Sequence, residues 1–320
     1  MKIVVFRALQ LGDLLCAVPA FRALRHAYPD AEITLIGLPW AGEFVRRFSM
    51  YLDRLVIFPG YEGLPEQPYV LEATERFIGN MKAEQFDLLL QMHGNGTIVN
   101  ELLERIQAKR FAGFKFPPEE RPGEESLFPY PETVHEIHRH LLLLESIGIP
   151  SRGDALEFPL YSEDREAFRV LNLRLEPGEY VCLHPGSSTP ARRWPVKHFA
   201  AIGDHFAESG KSVIITGSMK EIMLAAEVQQ AMRYEAVSLA GKTTLGSLAI
   251  LLRNAGGLIS NCTGVAHIAA AVKTPSVIIS MDGETQRWAP LDKQLHHSID
   301  WTLNPGYPAV LQEAVNAITL

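Results

Sequence analysis

Cysteine is scarce: Cys16, Cys182 and Cys262 are the three in 320 residues, they lie far apart, and no C-x-x-C pair occurs. Such an odd, scattered set argues against a disulfide framework and against a cysteine-based zinc site. Long apolar runs are missing too. No stretch approaches the roughly 18 apolar residues of a membrane-spanning helix. The chain passes from Met1 straight into "KIVVF", too short and wrongly flanked for a signal peptide. The cytoplasm is therefore the expected compartment. Positive charge is also not in excess, because 30 Lys and Arg against 37 Asp and Glu leave a formal net charge of −7. Nucleic acid is not an expected partner of such a chain.

The residues present describe a globular protein, 47% hydrophobic and 21% charged, with length enough for two ordinary domains. Its two halves open alike. "MKIVVFRALQLGDLLCAVPAFRALRHAYPDAEITLIG" and "EYVCLHPGSSTPARRWPVKHFAAIGDHFAESGKSVIITG" both read as strand, glycine-containing loop, amphipathic helix, turn, strand. Further strands follow in each: "RLVIF", "FDLLLQM" and "KRFAGF", then "AVSLA", "GLIS" and "PSVIIS". Short apolar strands separated by helices imply α/β architecture with parallel sheets covered on both faces, here two Rossmann-like domains. The boundary falls within 155–178, giving residues 1–160 and 161–320. "NPGYPAVLQEAVNAITL" reads as a terminal helix, and "GYEGLPEQP" and "FKFPPEERPGEESLFPYPE" as Pro/Gly/Glu-rich surface loops. Ligands of open α/β sheets bind outside the carboxyl ends of the strands, so the loops after each first strand, facing an inter-domain cleft, are where chemistry is expected.

Several patterns there are decoys. "AVSLAGKT", 236–243, fits a loose P-loop, but its middle residues are the strand itself. "GNGTIV" from Gly94 offers two of three dinucleotide glycines, with Val99 in the third slot and no ribose-binding acid downstream; it reads as a strand-to-helix turn. "HEIHRH", 135–140, lacks H-E-x-x-H spacing, so its histidines are read as solvated or cleft-lining rather than metal-binding. The aromatics with Arg46 and Arg47 in "WAGEFVRRFSMYLDRLVIF" read as core packing with a solvated face before they read as a membrane contact.

Three stretches carry more. In "LQLGDLL", Asp13 after Gly12 begins a helix, where a carboxylate serves as a first-turn acid or as a general base; both readings stay open. "HPGSSTPARRWP", 184–195, sets Ser187, Ser188 and Thr189 beside Arg192 and Arg193, a phosphate-suited loop or a plain surface loop. "GGLISNCTGVAHIAAAVKTPSVII", 256–279, reads strand, turn, helix, strand. The helix rests on Val265, Ile268, Ala269 and Val272 with Thr263 and Gly264 in its first turn, an anion-receptive helix start or simply a tight turn before a buried Ala-rich helix.

Together with "VIITGSMKE", "LAGKTTLGSLAILLRN", "FDLLLQMHGN" and "VHEIHRHLLLLESIGIP", these stretches resemble glycosyltransferase family 9, the lipopolysaccharide heptosyltransferase group, over nearly the whole chain and in the family's order. The resemblance implies a GT-B fold, with acceptor on the N-terminal domain, a nucleotide-diphosphate sugar, ADP-linked, on the C-terminal domain, and inversion without a required metal or other cofactor. A glycolipid or glycan acceptor implies peripheral contact with the membrane. Position by position, Asp13 matches the general base and Gly12 its motif, with Arg7 as a second cation on the acceptor side. Arg192 stands where the family has a lysine near the diphosphate, with Ser187, Ser188 and Arg193 adjoining. Glu221 matches the ribose-binding acid, Thr263 and Gly264 the diphosphate site and His267 the histidine one turn on. Lys242 and Thr243 of "LAGKT" join the substrate-binding set. Cys262 departs from the pattern, because the family has a sugar-facing aspartate there; a thiol cannot accept two strong hydrogen bonds from hydroxyls. Asp282 and Glu284 are the acids placed to replace it.

Overall fold

The computed structural model describes residues 1–117 and 126–318. Two compact units divide the chain, Met1–Asp154 and Ala155–Leu320. In the first, β1 (Lys2–Phe6), β2 (Glu32–Gly37), β3 (Arg54–Ile57), β4 (Leu88–Gln91), β5 (Phe111–Lys115) and β6 (Leu127–Pro129) alternate with α1 (Leu11–Ala27), α2 (Ala41–Arg47), α3 (Leu71–Ala83) and α4 (Val99–Glu104), and α5 (Glu136–Ser146) closes the unit. In the second, α6 (Ser162–Val170) precedes β7 (Tyr180–His184), α7 (Val196–Glu208), β8 (Ser212–Ile215), α8 (Ile222–Ala231), β9 (Val237–Ser238) and α9 (Leu245–Asn254). Then come β10 (Gly257–Asn261), α10 (Gly264–Val272), β11 (Ser276–Ser280), α11 (Thr285–Trp288), β12 (His296–Asp300) and α12 (Tyr307–Ala317).

Among the described residues both sheets have six strands, ordered β3-β2-β1-β4-β5-β6 and β12-β11-β10-β7-β8-β9. Counted from each unit's own first strand the orders are identical, and every pairing is parallel. This is the doubly wound Rossmann order, whose chain reversal falls between the first and fourth strands. The central strands are continuous apolar runs because helices cover both faces: Ile3 to Phe6 of β1 and all of β10 are buried.

Two edge strands, β6 and β12, were not anticipated from the sequence. Their runs "LFP" and "HHSID" are short and mixed because an edge strand pairs on one side only and need not be apolar on both faces. β5 and β6 occupy the ends of the second Pro/Gly/Glu-rich segment, and its residues 118–125 lie outside the described residues. The terminal helix packs Val310, Ala314 and Ile318 into the second core. Its fit depends on Gly257, where an added Cβ would stand 2.3 Å from Ile318 Cγ1. In α2, Phe44 and Val45 are buried and Arg47 is buried 3.7 Å from Glu43, so this helix packs inward. Among the described residues no helix is long and apolar enough to cross a membrane.

Candidate functional site

The chain reversal of the first unit lies where β1 and β4 end side by side, with Phe6 opposite Gln91. Arg7 leaves β1 there and is wholly buried. Its Nε donates to the main-chain oxygen of Asp13 at 2.8 Å, its Nη1 to that of Met92, and its Nη2 to Glu136 Oε1 at 3.1 Å. Arg7 was expected to face the acceptor. Instead its guanidinium is turned into the protein and ties the β1 loop, the β4 end and α5 together. Asp13 keeps one oxygen on the main-chain N–H of Gln10 at 3.2 Å, as a first-turn acid should, and its other oxygen stands 3.8 Å from Arg7 Nη2. The side chain remains 24% exposed. Gly12, the second residue of α1, is half-buried beside it. One oxygen therefore caps the helix start, and the carboxylate stays partly exposed.

Glu136 was passed over in the sequence because "HEIHRH" drew attention to its histidines. It is 3% exposed, bridging Arg7 and Arg139 with His140 Nε2 3.4 Å away. Burial alone would push its carboxyl up, but His140, Arg7 and Arg139 overrule this and hold it well below the usual carboxylate range. The histidines scatter. His135 Nδ1 accepts from Ile137 N at the start of α5, His138 pairs with Asp154 at 2.9 Å, and His140 is buried. Among the described residues no group of three or more His, Cys, Asp or Glu is arranged to hold a metal.

Burial, and then the charge of Arg7, push His140 down to about 4; burial does the same to His296, which meets Ser276 Oγ at 2.7 Å inside the second sheet. Both are neutral when folded at pH 7, whereas an unfolded histidine titrates near 6.5. Between about 6.5 and 4 the unfolded chain binds protons that the native one refuses, so stability rises with pH in that window. We expect a loss of about 2 kcal/mol per histidine from pH 7 to pH 5. Urea midpoints at the two pH values test this, and His296→Gln should shrink the difference by about 2 kcal/mol; a midpoint indifferent to pH would contradict the assignment.

In the second unit the reversal lies where β7 and β10 end, with His184 beside Ser260. The loop after β7 is clamped by Asn261, which the sequence did not single out. Its Nδ2 donates to the carbonyls of Pro185 and Gly186 at 2.8 and 3.2 Å, and its Oδ1 accepts from Trp194 N at 2.8 Å. Arg193 also serves the loop, donating through Nε and Nη2 to Ser187 O at 3.1 and 2.9 Å. Ser187 is buried, and Ser188 is exposed. Glu221 presses on the same loop: a Cβ on Gly186 would lie 2.1 Å from its Oε1, so only glycine permits the approach. Its Oε2 accepts from Ser218 N at 2.7 Å. Burial would raise the Glu221 carboxyl, but the Ser218 hydrogen bond and the charges of His184 and Arg193 bring it below its ordinary value.

Arg192 is 46% exposed and its Nε lies 2.8 Å from Asp282 Oδ2. Asp282, just past β11, also accepts from Ser280 Oγ at 2.7 Å. Cys262 sits on the adjacent strand end, where burial first and then the Asp282 charge push its thiol up to about 12; it is a neutral thiol. Glu284, the other acid considered, accepts from Trp288 Nε1 at 2.8 Å and lies 3.6 Å from Arg287. Thr263 begins α10 without a side-chain cap, and its Oγ1 is buried without a hydrogen-bond partner. Gly264 opens the helix and His267 is buried one turn on, its ring 6.4 Å from that of Trp288. Lys242 and Thr243 lie in the turn before α9, where Gly241 N donates to Gly217 O at 2.9 Å. Lys242 Nζ donates to Ser238 O at 3.0 Å, and the helix start is capped by Thr244, whose Oγ1 accepts from Ser247 N at 3.1 Å.

The profile described as Glycosyltransferase family 9 (heptosyltransferase) matches residues 75–307. The lipooligosaccharide heptosyltransferase 2 of Haemophilus influenzae is 35% identical over 309 residues, covering 91% of this chain and 86% of that protein. Two solved structures share the fold: E. coli ADP-heptose LPS heptosyltransferase II, with a TM-score of 0.78 at 19% identity over 99% of this chain and 98% of the other, and an E. coli heptosyltransferase solved with ADP, with a TM-score of 0.68 at 17% identity over 98% of each. With two Rossmann units of identical strand order, and with this profile and this relative, the chain belongs to glycosyltransferase family 9, the heptosyltransferase family, and has the GT-B fold.

Proposed function

We propose that this enzyme moves heptose from ADP-heptose to a hydroxyl of lipopolysaccharide core or a related surface glycan, by a single inverting displacement that needs no metal. The observation that carries the reading is the content of the two chain reversals. One presents a reachable carboxylate, Asp13, fixed beside a buried cation; the other presents Arg192 next to the uncapped start of α10. Asp13 takes the proton of the acceptor hydroxyl as its oxygen bonds to the anomeric carbon. The bond from that carbon to the diphosphate breaks, and the charge gathering on ADP meets the Arg192 guanidinium and the amides at Thr263 and Gly264. Those fixed positive groups do what a metal would otherwise do. The paired Arg193 holds the loop in shape, and Glu221 is the ribose acid. Asp282, which pairs with Arg192 beside Cys262, stands in for the carboxylate that Cys262 lacks, whereas Glu284 is turned to Trp288 and Arg287. The choice of ADP-heptose draws support from the similar E. coli proteins, whose names carry ADP-heptose and ADP. A glycolipid acceptor brings the protein to the cytoplasmic face of the membrane.

Calorimetric titration with ADP, UDP, GDP and ADP-heptose tests the reading. ADP should bind selectively, the heptose should add affinity, and Arg192→Ala should weaken ADP by about 1.5–3 kcal/mol, the worth of a hydrogen bond to a charged group. If ADP binds and the heptose adds nothing, the protein uses another sugar or binds nucleotide without transferring one. Unchanged ADP binding by the variant would remove Arg192 from the diphosphate.

A further inference from the structure

His93 follows β4 at the chain reversal of the first unit, and the main chain around it is held on both sides. Gln91 Nε2 donates to His93 O at 2.5 Å, and the carbonyl of Met92 takes the Arg7 guanidinium that also holds Asp13. The imidazole is 6% exposed and packs on Phe6 with ring centroids 5.2 Å apart. Its Nε2 lies 3.4 Å from Glu66 Oε1. His93 Nδ1 and Glu66 Oε2 are both buried, and among the described residues neither has a hydrogen-bond partner. Buried polar groups are nearly always satisfied, so two orphans in one pair mark a place where a further group docks. The next residue opens outward, since a Cβ on Gly94 would meet nothing within 4 Å.

The chemistry of the orphans names the class of group. A ring nitrogen facing a carboxylate carries the hydrogen, so Glu66 leaves Nδ1 as a lone pair. Burial would raise the Glu66 carboxyl, but the His93 hydrogen bond and its own main chain hold it below its ordinary value, so Glu66 is a carboxylate. Nδ1 and Oε2 are then both acceptors. They suit a donor such as a sugar hydroxyl and repel a phosphate or carboxylate.

We propose that His93, oriented by Glu66, is an acceptor-binding residue that takes a hydrogen bond from a hydroxyl of the incoming glycan near Asp13. This rests on the reading above that the first unit holds the acceptor. One guanidinium, that of Arg7, holds the main-chain oxygens of Asp13 in the first turn of α1 and of Met92 next to His93, so a glycan that offers one hydroxyl to Asp13 can offer a second to His93.

The test uses the full chain, saturating ADP-heptose and deacylated inner-core oligosaccharide of lipopolysaccharide as the acceptor probe. His93→Phe should raise the acceptor KM about tenfold, the equivalent of one lost hydrogen bond, with the donor KM and the ADP affinity unchanged. His93→Asn, which returns an oxygen near the Nδ1 position, should recover part of the loss. Glu66→Gln keeps the shape but not the charge and should raise the acceptor KM about threefold, which keeps the proposal testable if the Phe variant folds poorly. An unchanged acceptor KM in all three, or a donor KM that rises in step, overturns the assignment. A wild type that binds ADP-heptose but not the oligosaccharide overturns it together with the acceptor reading, whereas oligosaccharide binding with an indifferent His93 overturns it alone.

Discussion

Asp13→Asn is expected to lower turnover by about 10²- to 10⁴-fold, the usual worth of a positioned general base, while leaving ADP affinity unchanged. Asparagine has the same shape, and its oxygen can still accept from Gln10 N, so the start of α1 should survive. Arg7 also keeps the main-chain oxygen of residue 13 and Glu136. What disappears is the capacity to take a proton. The expected pattern is a fall in kcat with an unchanged denaturation midpoint and unchanged ADP titration. A parallel loss of ADP affinity would move Asp13 out of the base role.

The largest effect on stability belongs to Glu136→Gln. Arg7 is wholly buried and Arg139 nearly so, and Glu136 is the carboxylate that both share. Removing one partner of a buried ion pair strands the other charge, at about 3–5 kcal/mol. Arg139 retains the carbonyls of Pro131 and Val134 and the Tyr130 ring, so the strain should fall mainly on Arg7. Arg7 in turn positions Asp13, and kcat should drop with the stability. The pH dependence separates charge from shape. The folded Glu136 carboxyl is depressed, so its contribution is complete above the unfolded value near 4.3 and drains away as pH falls from there toward the folded value. The gap between wild type and variant in urea should therefore be widest at neutral pH and shrink in acid. A gap of less than about 1 kcal/mol at pH 7 would show that water reaches Arg7.

The amino-acid sequence by itself determined the two Rossmann halves, because buried parallel strands must be continuous apolar runs and amphipathic helices must repeat at 3.6 residues. It also placed Asp13, Arg192, Thr263 and Gly264 at strand-to-helix junctions, where glycine and small polar residues leave a local signature. The tertiary structure alone decided which charges meet. Arg7 finds Glu136 from the far end of the first unit, and Arg192 finds Asp282 after four intervening strands, because parallel crossovers bring distant strand ends together and pairing across them has no local pattern. For the same reason the main-chain oxygens that Arg7 and Arg193 hold, of Asp13, Met92 and Ser187, left no mark in the sequence, and Asn261 and His93 went unmarked. The edge strands β6 and β12 were settled by pairing on one side, a constraint too weak to shape a run of residues.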